Sequence, residues 1–181
     1  VEFIVLDTET TGLHQEKGHR IIEIALLRYD LESRKLLDSW VKRIDPERPI
    51  DPGAQEVHGI AYEDLVGCPK WDELANEISL RMNSCDLLVA HNMGFDGPFI
   101  GLELSRVGIM VPQTDTFCTM VNARWACPDG KLPKLAEVAF ALQVPYDASA
   151  AHAASYDVSV TAECLFRGLE RGFYQLPKGS T

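Results

Sequence analysis

The chain has 181 residues, enough for one domain whose core buries roughly 70% of the unfolded surface. Its 46% hydrophobic and 24% charged content is ordinary for a globular protein, and no apolar run nears the ~20 residues a membrane helix needs. The net charge of −10 argues against a protein that holds nucleic acid through a general basic footprint, but not against one that holds phosphate through metal ions.

Five cysteines (Cys68, Cys85, Cys118, Cys127, Cys164) are odd in number and form no C-x-x-C, which argues against a disulfide framework and a zinc knuckle. No secretory leader is visible, so they read as buried reduced thiols of a cytoplasmic protein without membrane contact.

In chain order, Glu2-Phe-Ile-Val-Leu-Asp7 reads as a first strand, with Asp7-Thr8-Glu9 at its end. Strand residues alternate faces, so Asp7 and Glu9 share one. Two carboxylates on one edge repel unless a cation or proton relieves them, and oxygen-only ligands suit Mg²⁺ or Mn²⁺. Thr10 to Leu13 is a turn and His14 to His19 a polar loop. Arg20–Tyr29 and Lys35–Ile44 are two more strands, joined by the tight Asp30–Arg34 connection into a three-strand antiparallel meander. The proline-rich Asp45–Gly53 is expected to be irregular, because proline lacks the donor a ladder needs.

A helical turn at Ala54–His58 precedes a helix over Lys70–Met82, where Trp71, Leu74, Ile78 and Met82 recur at helical spacing. Asp86–Ala90 is a short buried strand, broken at His91–Gly94, and Phe95-Asp96 opens a helix to about Val107. Further helices are expected over Asp115–Trp125, Lys134–Gln143 and Ser155–Arg171, the last with an apolar stripe of Val158, Thr161, Leu165 and Leu169. Strands first and βα alternation later predict an α/β sandwich with a mixed sheet. Ala126–Pro133 is expected to be a surface loop near the substrate, and no linker divides the chain, so residues 1–181 read as one domain. Gly172–Thr181 is short and shows no evident polymerase-binding tail.

Two further acidic positions stand out. Asp96 opens a helix after a buried strand, where the helix dipole favours a carboxylate and where open α/β sheets place ligands. His152-Ala-Ala-Ser-Tyr-Asp157 sets a histidine five residues before an aspartate early in the last helix.

Together, Val5-Leu-Asp-Thr-Glu-Thr-Thr-Gly-Leu13, Val89-Ala-His-Asn-Met-Gly-Phe-Asp96 and the H-x₄-D of His152 and Asp157, with Val57-His58-Gly59-Ile60 and Asp115-Thr116 between them, resemble the DEDDh exonucleases of the ribonuclease H-like superfamily. That family includes the proofreading subunit of bacterial replicative polymerase, RNase T and oligoribonuclease. The resemblance implies a ribonuclease H-like α/β fold, with a meander and parallel strands flanked by helices. It also implies a 3′-to-5′ exonuclease that releases nucleoside 5′-monophosphates from 3′ ends of single-stranded DNA or RNA. Asp7, Glu9, Asp96 and Asp157 would bind two divalent cations, Mg²⁺ or Mn²⁺, and His152 would be the general base.

Two ions about 3.5–4 Å apart activate the attacking water and stabilise the leaving 3′ oxygen in nucleases. A base on that water adds typically about 10²–10⁴-fold. By the same resemblance Thr10 and His58 would contact the terminal nucleotide, and a polymerase or other processing partner would fit. Some relatives carry a carboxylate five residues before the His58 position, where this chain has Gly53. A non-catalytic scaffold module, or an endonuclease with the same chemistry, are the alternatives.

Other residues are read as structural. Lys131, Lys134 and Arg124 are scattered surface cations, Trp40, Trp71 and Trp125 are core, and His14 with His19 makes no metal pair. His91 and Asn92 are expected to shape the turn that aims Asp96.

Overall fold

Phe3, Ile4, Val5 and Leu6 are all at most 2% exposed, so the strand that carries them must be covered on both faces. In the computed structural model, which describes residues 1–177, this strand, β1 (Glu2–Thr10), is the centre of a five-stranded sheet. It pairs antiparallel with β2 (Ile21–Asp30), which pairs antiparallel with β3 (Leu36–Arg43). On its other side β4 (Leu87–Ala90) is parallel, and β5 (Asp115–Cys118) is parallel to β4. The sheet order is therefore β3-β2-β1-β4-β5, the expected meander plus parallel strands.

The alternation of β1 divides two cores. Phe3 and Val5 pack with Ala25 and Leu27 against Val138 and Leu142 of α4 (Leu135–Leu142) and Val158 and Leu165 of α5 (Ala154–Glu170). Ile4 and Leu6 face the other way, onto Trp71 and Ile78 of α2 (Trp71–Met82) and Phe99 and Leu104 of α3 (Met93–Arg106). Asp7 and Glu9 continue the Phe3–Val5 series and so emerge on the α5 side, while Thr8 emerges on the α3 side. Arg20 and Glu103 tie the start of β2 to α3, with Nε donating to Oε1 at 2.6 Å.

Several expectations are corrected. Asp115–Cys118 is a strand rather than the start of a helix, because its backbone completes the ladder along Leu87–Ala90 and only Phe117 needs burial; a 3₁₀ turn over Val121–Ala126 follows. The proline-rich segment ends in α1 (Pro52–His58), with Pro52 at the first turn, where a missing donor costs nothing. Trp40 and Trp71 are core, but Trp125 is 36% exposed and stacks on Phe173 with centroids 4.4 Å apart. Cys127 and Cys164 are buried, whereas Cys68, Cys85 and Cys118 are only partly so; all five are free thiols. Helix α3 starts at Met93, slightly ahead of the expected Phe95, and keeps Asp96 in its first turn. Among the described residues no helix is long and apolar enough to cross a membrane. Of the tail segment Gly172–Thr181, residues 178–181 lie outside the described residues.

Candidate active site

Beyond Leu6 the core of β1 gives way to acid. Asp7 is opposite Ala25 and Glu9 opposite Glu23 on β2, and the register then slips between Glu9 and Thr10, a bulge that re-aims the strand end. From the other face, Asp96 of α3 is 2% exposed and accepts hydrogen bonds from the Thr8 amide (3.0 Å) and the Thr8 hydroxyl (2.7 Å), which pins it to β1. The last acid comes from the first turn of α5. Asp157 Oδ2 accepts the backbone N–H of His152 at 3.0 Å, so the five-residue spacing closes a local clasp.

Asp7, Glu9, Thr10, His58, His152 and Asp157 all line one cleft of about 920 Å³. Asp96 lies behind it, against Thr8. Ligand atoms of Glu9, His152 and Asp157 come within 4.8 Å of one another.

Burial first, and then Asp96, Glu9, Asp157 and Glu23, push the Asp7 carboxyl well above the usual carboxylate range. Burial, reinforced by Asp157, Glu23 and Asp96, lifts Glu9 to about 8. Asp96 is raised to about 7 by burial, against the pull of the two Thr8 hydrogen bonds. Burial also raises Asp157, opposed by the His152 amide. Among the described residues nothing donates a hydrogen bond to Asp7 or Glu9, and Asp157 Oδ1 is buried without a partner. Carboxylates crowded together without donors are destabilised as anions unless a cation neutralises them. The oxygen-rich donor set, with its orphaned oxygen, fits a hard divalent cation.

The flanks of the cleft are tied down by neutral hydrogen bonds. His58 Nδ1 accepts the Ile60 amide at 3.0 Å, which leaves Nε2 to donate to the Thr10 carbonyl at 3.2 Å. Burial lowers the His58 pKa, consistent with a neutral ring. The Thr10 hydroxyl donates to the Gly12 carbonyl. Gly12 sits against the ring of His19, where a Cβ would come 2.3–2.7 Å from Cε1, Nδ1 and Nε2. His19 bridges the Thr11 hydroxyl and Asp51, which gives it a structural role. His91, pushed down to about 4 by burial, bridges the Thr119 hydroxyl and the Pro133 carbonyl, fastening the loop before α4 to the end of β4.

Leu132, Pro133 and Lys134 border the cleft, so the breaker-rich loop does reach it. Lys131 instead pairs with Glu137, and Arg124 with the Gly130 carbonyl. Gly53 borders the cleft with open space where a side chain would stand; the carboxylate on that wall is Asp51.

The sequence reading missed Glu23. It is 8% exposed, facing Glu9, with Oε1 accepting the Ala154 amide at 3.3 Å and Oε2 the Arg43 Nε at 3.1 Å. An acid inside the otherwise apolar Ile21–Leu27 run was the signal available.

A mixed sheet sandwiched by helices, acidic where its central strand ends, defines the class as ribonuclease H-like nucleases. Known proteins agree. Residues 4–165 match the family described as exonuclease (RNase T), and the chain belongs to that family, which makes it a 3′-to-5′ exonuclease by class. It is 34% identical over 169 residues to the DNA polymerase III subunit epsilon of Escherichia coli K12, covering 88% of this chain and 68% of that protein. It is 30% identical over 175 residues to the 3′-5′ exonuclease DinG of Bacillus subtilis, covering 97% of this chain but 18% of that one. The fold is shared with exonuclease X in complex with 5′ overhanging duplex DNA, at a TM-score of 0.72 and 23% identity, over 98% of this chain and 97% of that chain.

Proposed function

We propose that the chain hydrolyses nucleoside 5′-monophosphates from the 3′ ends of single-stranded DNA or RNA with two divalent cations, Mg²⁺ or Mn²⁺. The observation that carries this reading is the donor-poor acidic cleft, lined by Asp7, Glu9 and Asp157, in which Glu9 and His152 come close to Asp157 and one oxygen of that carboxylate is orphaned. Asp7, Glu9, Asp96 and Asp157 would hold the ions, whose chemistry is to acidify water and to offset charge on the leaving oxygen.

The remaining work falls to side chains. His152, exposed at the cleft edge, takes the proton of the attacking water as the new P–O bond forms and the bond to the 3′ oxygen breaks. Thr10 and His58, whose positions are fixed through the Thr10 carbonyl and Gly12, bracket the terminal nucleotide. Among the described residues Lys134 is the one lysine or arginine bordering the cleft, and its charge suits an entering phosphodiester chain. A polymerase partner is the reading suggested by the E. coli relative, and co-purification of the two tests it.

The reading is tested with 5′-labelled single-stranded DNA, single-stranded RNA and duplex DNA in Mg²⁺ or Mn²⁺. A one-nucleotide ladder from the 3′ end is expected, slowed when that end carries a 3′-phosphate, because the added dianion meets Glu9 without a partner. Cutting of circular single strands would point to an endonuclease instead.

A further inference from the structure

We propose that Glu23 is a positioning residue that holds the start of α5, and with it His152 and Asp157, in register with Glu9. The inference rests on the hydrolytic reading above and concerns a side chain that no step of it uses.

Glu23 stands directly across from Glu9 on the antiparallel pair, an arrangement of like charges that opposes folding. An apolar residue, as at Ala25 and Leu27 further along the same face, would avoid that repulsion. Glu23 is accommodated because both of its oxygens are engaged, Oε2 by Arg43 and Oε1 by the amide of Ala154. Ala154 is the first residue of α5, and the residue before it is Ala153, whose methyl accepts no hydrogen bond. A 17-residue helix thus begins without a side-chain cap of its own, and Glu23 supplies the missing acceptor from the sheet. Its negative charge there is also favoured by the helix dipole.

His152 lies just before this contact and Asp157 in the turn just after it, joined by their own hydrogen bond. Whatever fixes Ala154 therefore fixes both. The pairing with Arg43, which is nearly half exposed, contributes little by itself. The contact with α5 is the one that reaches the cleft.

The test compares the parent with Glu23→Ala and Glu23→Gln in steady-state cleavage, in calorimetric Mn²⁺ titration, and in hydrogen exchange of the Ala154 amide. Glu23→Ala is expected to lower kcat by about 10–100-fold and to weaken Mn²⁺ binding in parallel, as loss of supporting hydrogen bonds around metal ligands does, with KM little changed. Ala154 should exchange faster. Glu23→Gln keeps an oxygen facing Ala154 and should restore all three readouts to near the parent's. Parental kcat and Mn²⁺ affinity in Glu23→Ala, or a Glu23→Gln as slow as Glu23→Ala, would overturn the proposal. If circular dichroism shows Glu23→Ala unfolded, Glu23→Asp, one methylene too short, replaces it: slow Asp beside parental Gln supports the role, and parental Asp rejects it. A folded parent that cleaves no strand would refute the hydrolytic reading instead, leaving Mn²⁺ affinity and Ala154 exchange to decide on Glu23.

Discussion

The backbone amide of His152 donates to Oδ2 of Asp157, and among the described residues Oδ1 of the same carboxylate is buried and unpartnered. One oxygen is spent on holding the loop; the other points to a ligand the protein does not itself provide. Asp157→Ala is therefore expected to abolish nearly all cleavage and to weaken Mn²⁺ binding, and Asp7→Ala to do the same, with the fold retained in both. Activity assays beside calorimetry check this, and full turnover by either purified variant would contradict the ligand assignment.

His152 separates proton transfer from ion binding. It sits at φ 64°, a backbone region that asparagine tolerates better than alanine, so His152→Asn is the cleaner variant. It should lose on the order of 10²–10⁴ in kcat while binding Mn²⁺ close to the parent's affinity. Parental activity should rise with pH as the imidazole gives up its proton, since only the neutral ring accepts one. The variant's residual rate should instead climb with hydroxide. Parental turnover by His152→Asn at neutral pH would remove the histidine from the mechanism.

The acidic cluster makes stability depend on pH. Glu9 titrates at about 8 and Asp96 at about 7 in the folded protein, and Asp7 and Asp157 are raised as well. In the unfolded chain such groups titrate near about 4. Between these limits the folded state binds more protons, so stability falls as pH rises from about 4 to about 8. The Tm in chelator should thus be higher at pH 5.5 than at pH 8, and Mn²⁺ should narrow or reverse the difference. Asp7→Asn should raise the pH 8 Tm in chelator. Thermal unfolding across this range decides it; a flat profile from these groups would contradict the crowding.

Gly12→Ala is expected to act on substrate binding. Its Cβ would overlap the ring of His19, forcing that ring off Thr11 and Asp51 and loosening the turn that bears Thr10 and Leu13. Overpacking of this kind costs about 1–3 kcal/mol. KM for a single-stranded substrate should rise more than kcat falls. Unfolding measurements together with initial rates test both halves.

Much of this site was legible because its chemistry is written locally. Asp7 and Glu9 are two apart on one strand and so share a face, while His152 and Asp157, five apart, stood out through the resemblance of their H-x₄-D to the family motif. Glu23 was not legible in that way: its partners, Arg43 and Ala154, lie on different elements, and only the folded sheet brings them together. β5 escaped because four residues with one buried side chain carry too little periodicity to separate strand from helix. Trp125 was misjudged because its environment depends on Phe173, far along the chain, which stacks on it at the surface. A single core was expected; its division in two came only with the fold, where Phe3 and Val5 face α4 and α5 and Ile4 and Leu6 face α2 and α3.

The central strand comes first in the sequence and α5 last among the described elements, yet Asp7 and Glu9 become a site only beside Asp157. A growing or unravelling chain therefore holds Asp7 and Glu9 without Asp157 until α5 has docked. The docking of α5 on β1 buries Val158 and Leu165, and the same step brings Asp157 to the cleft of Asp7 and Glu9. On the proposed ligand set, competence to degrade nucleic acid waits on this docking: a chain clipped before the helix, or one in which it has peeled away, is disarmed.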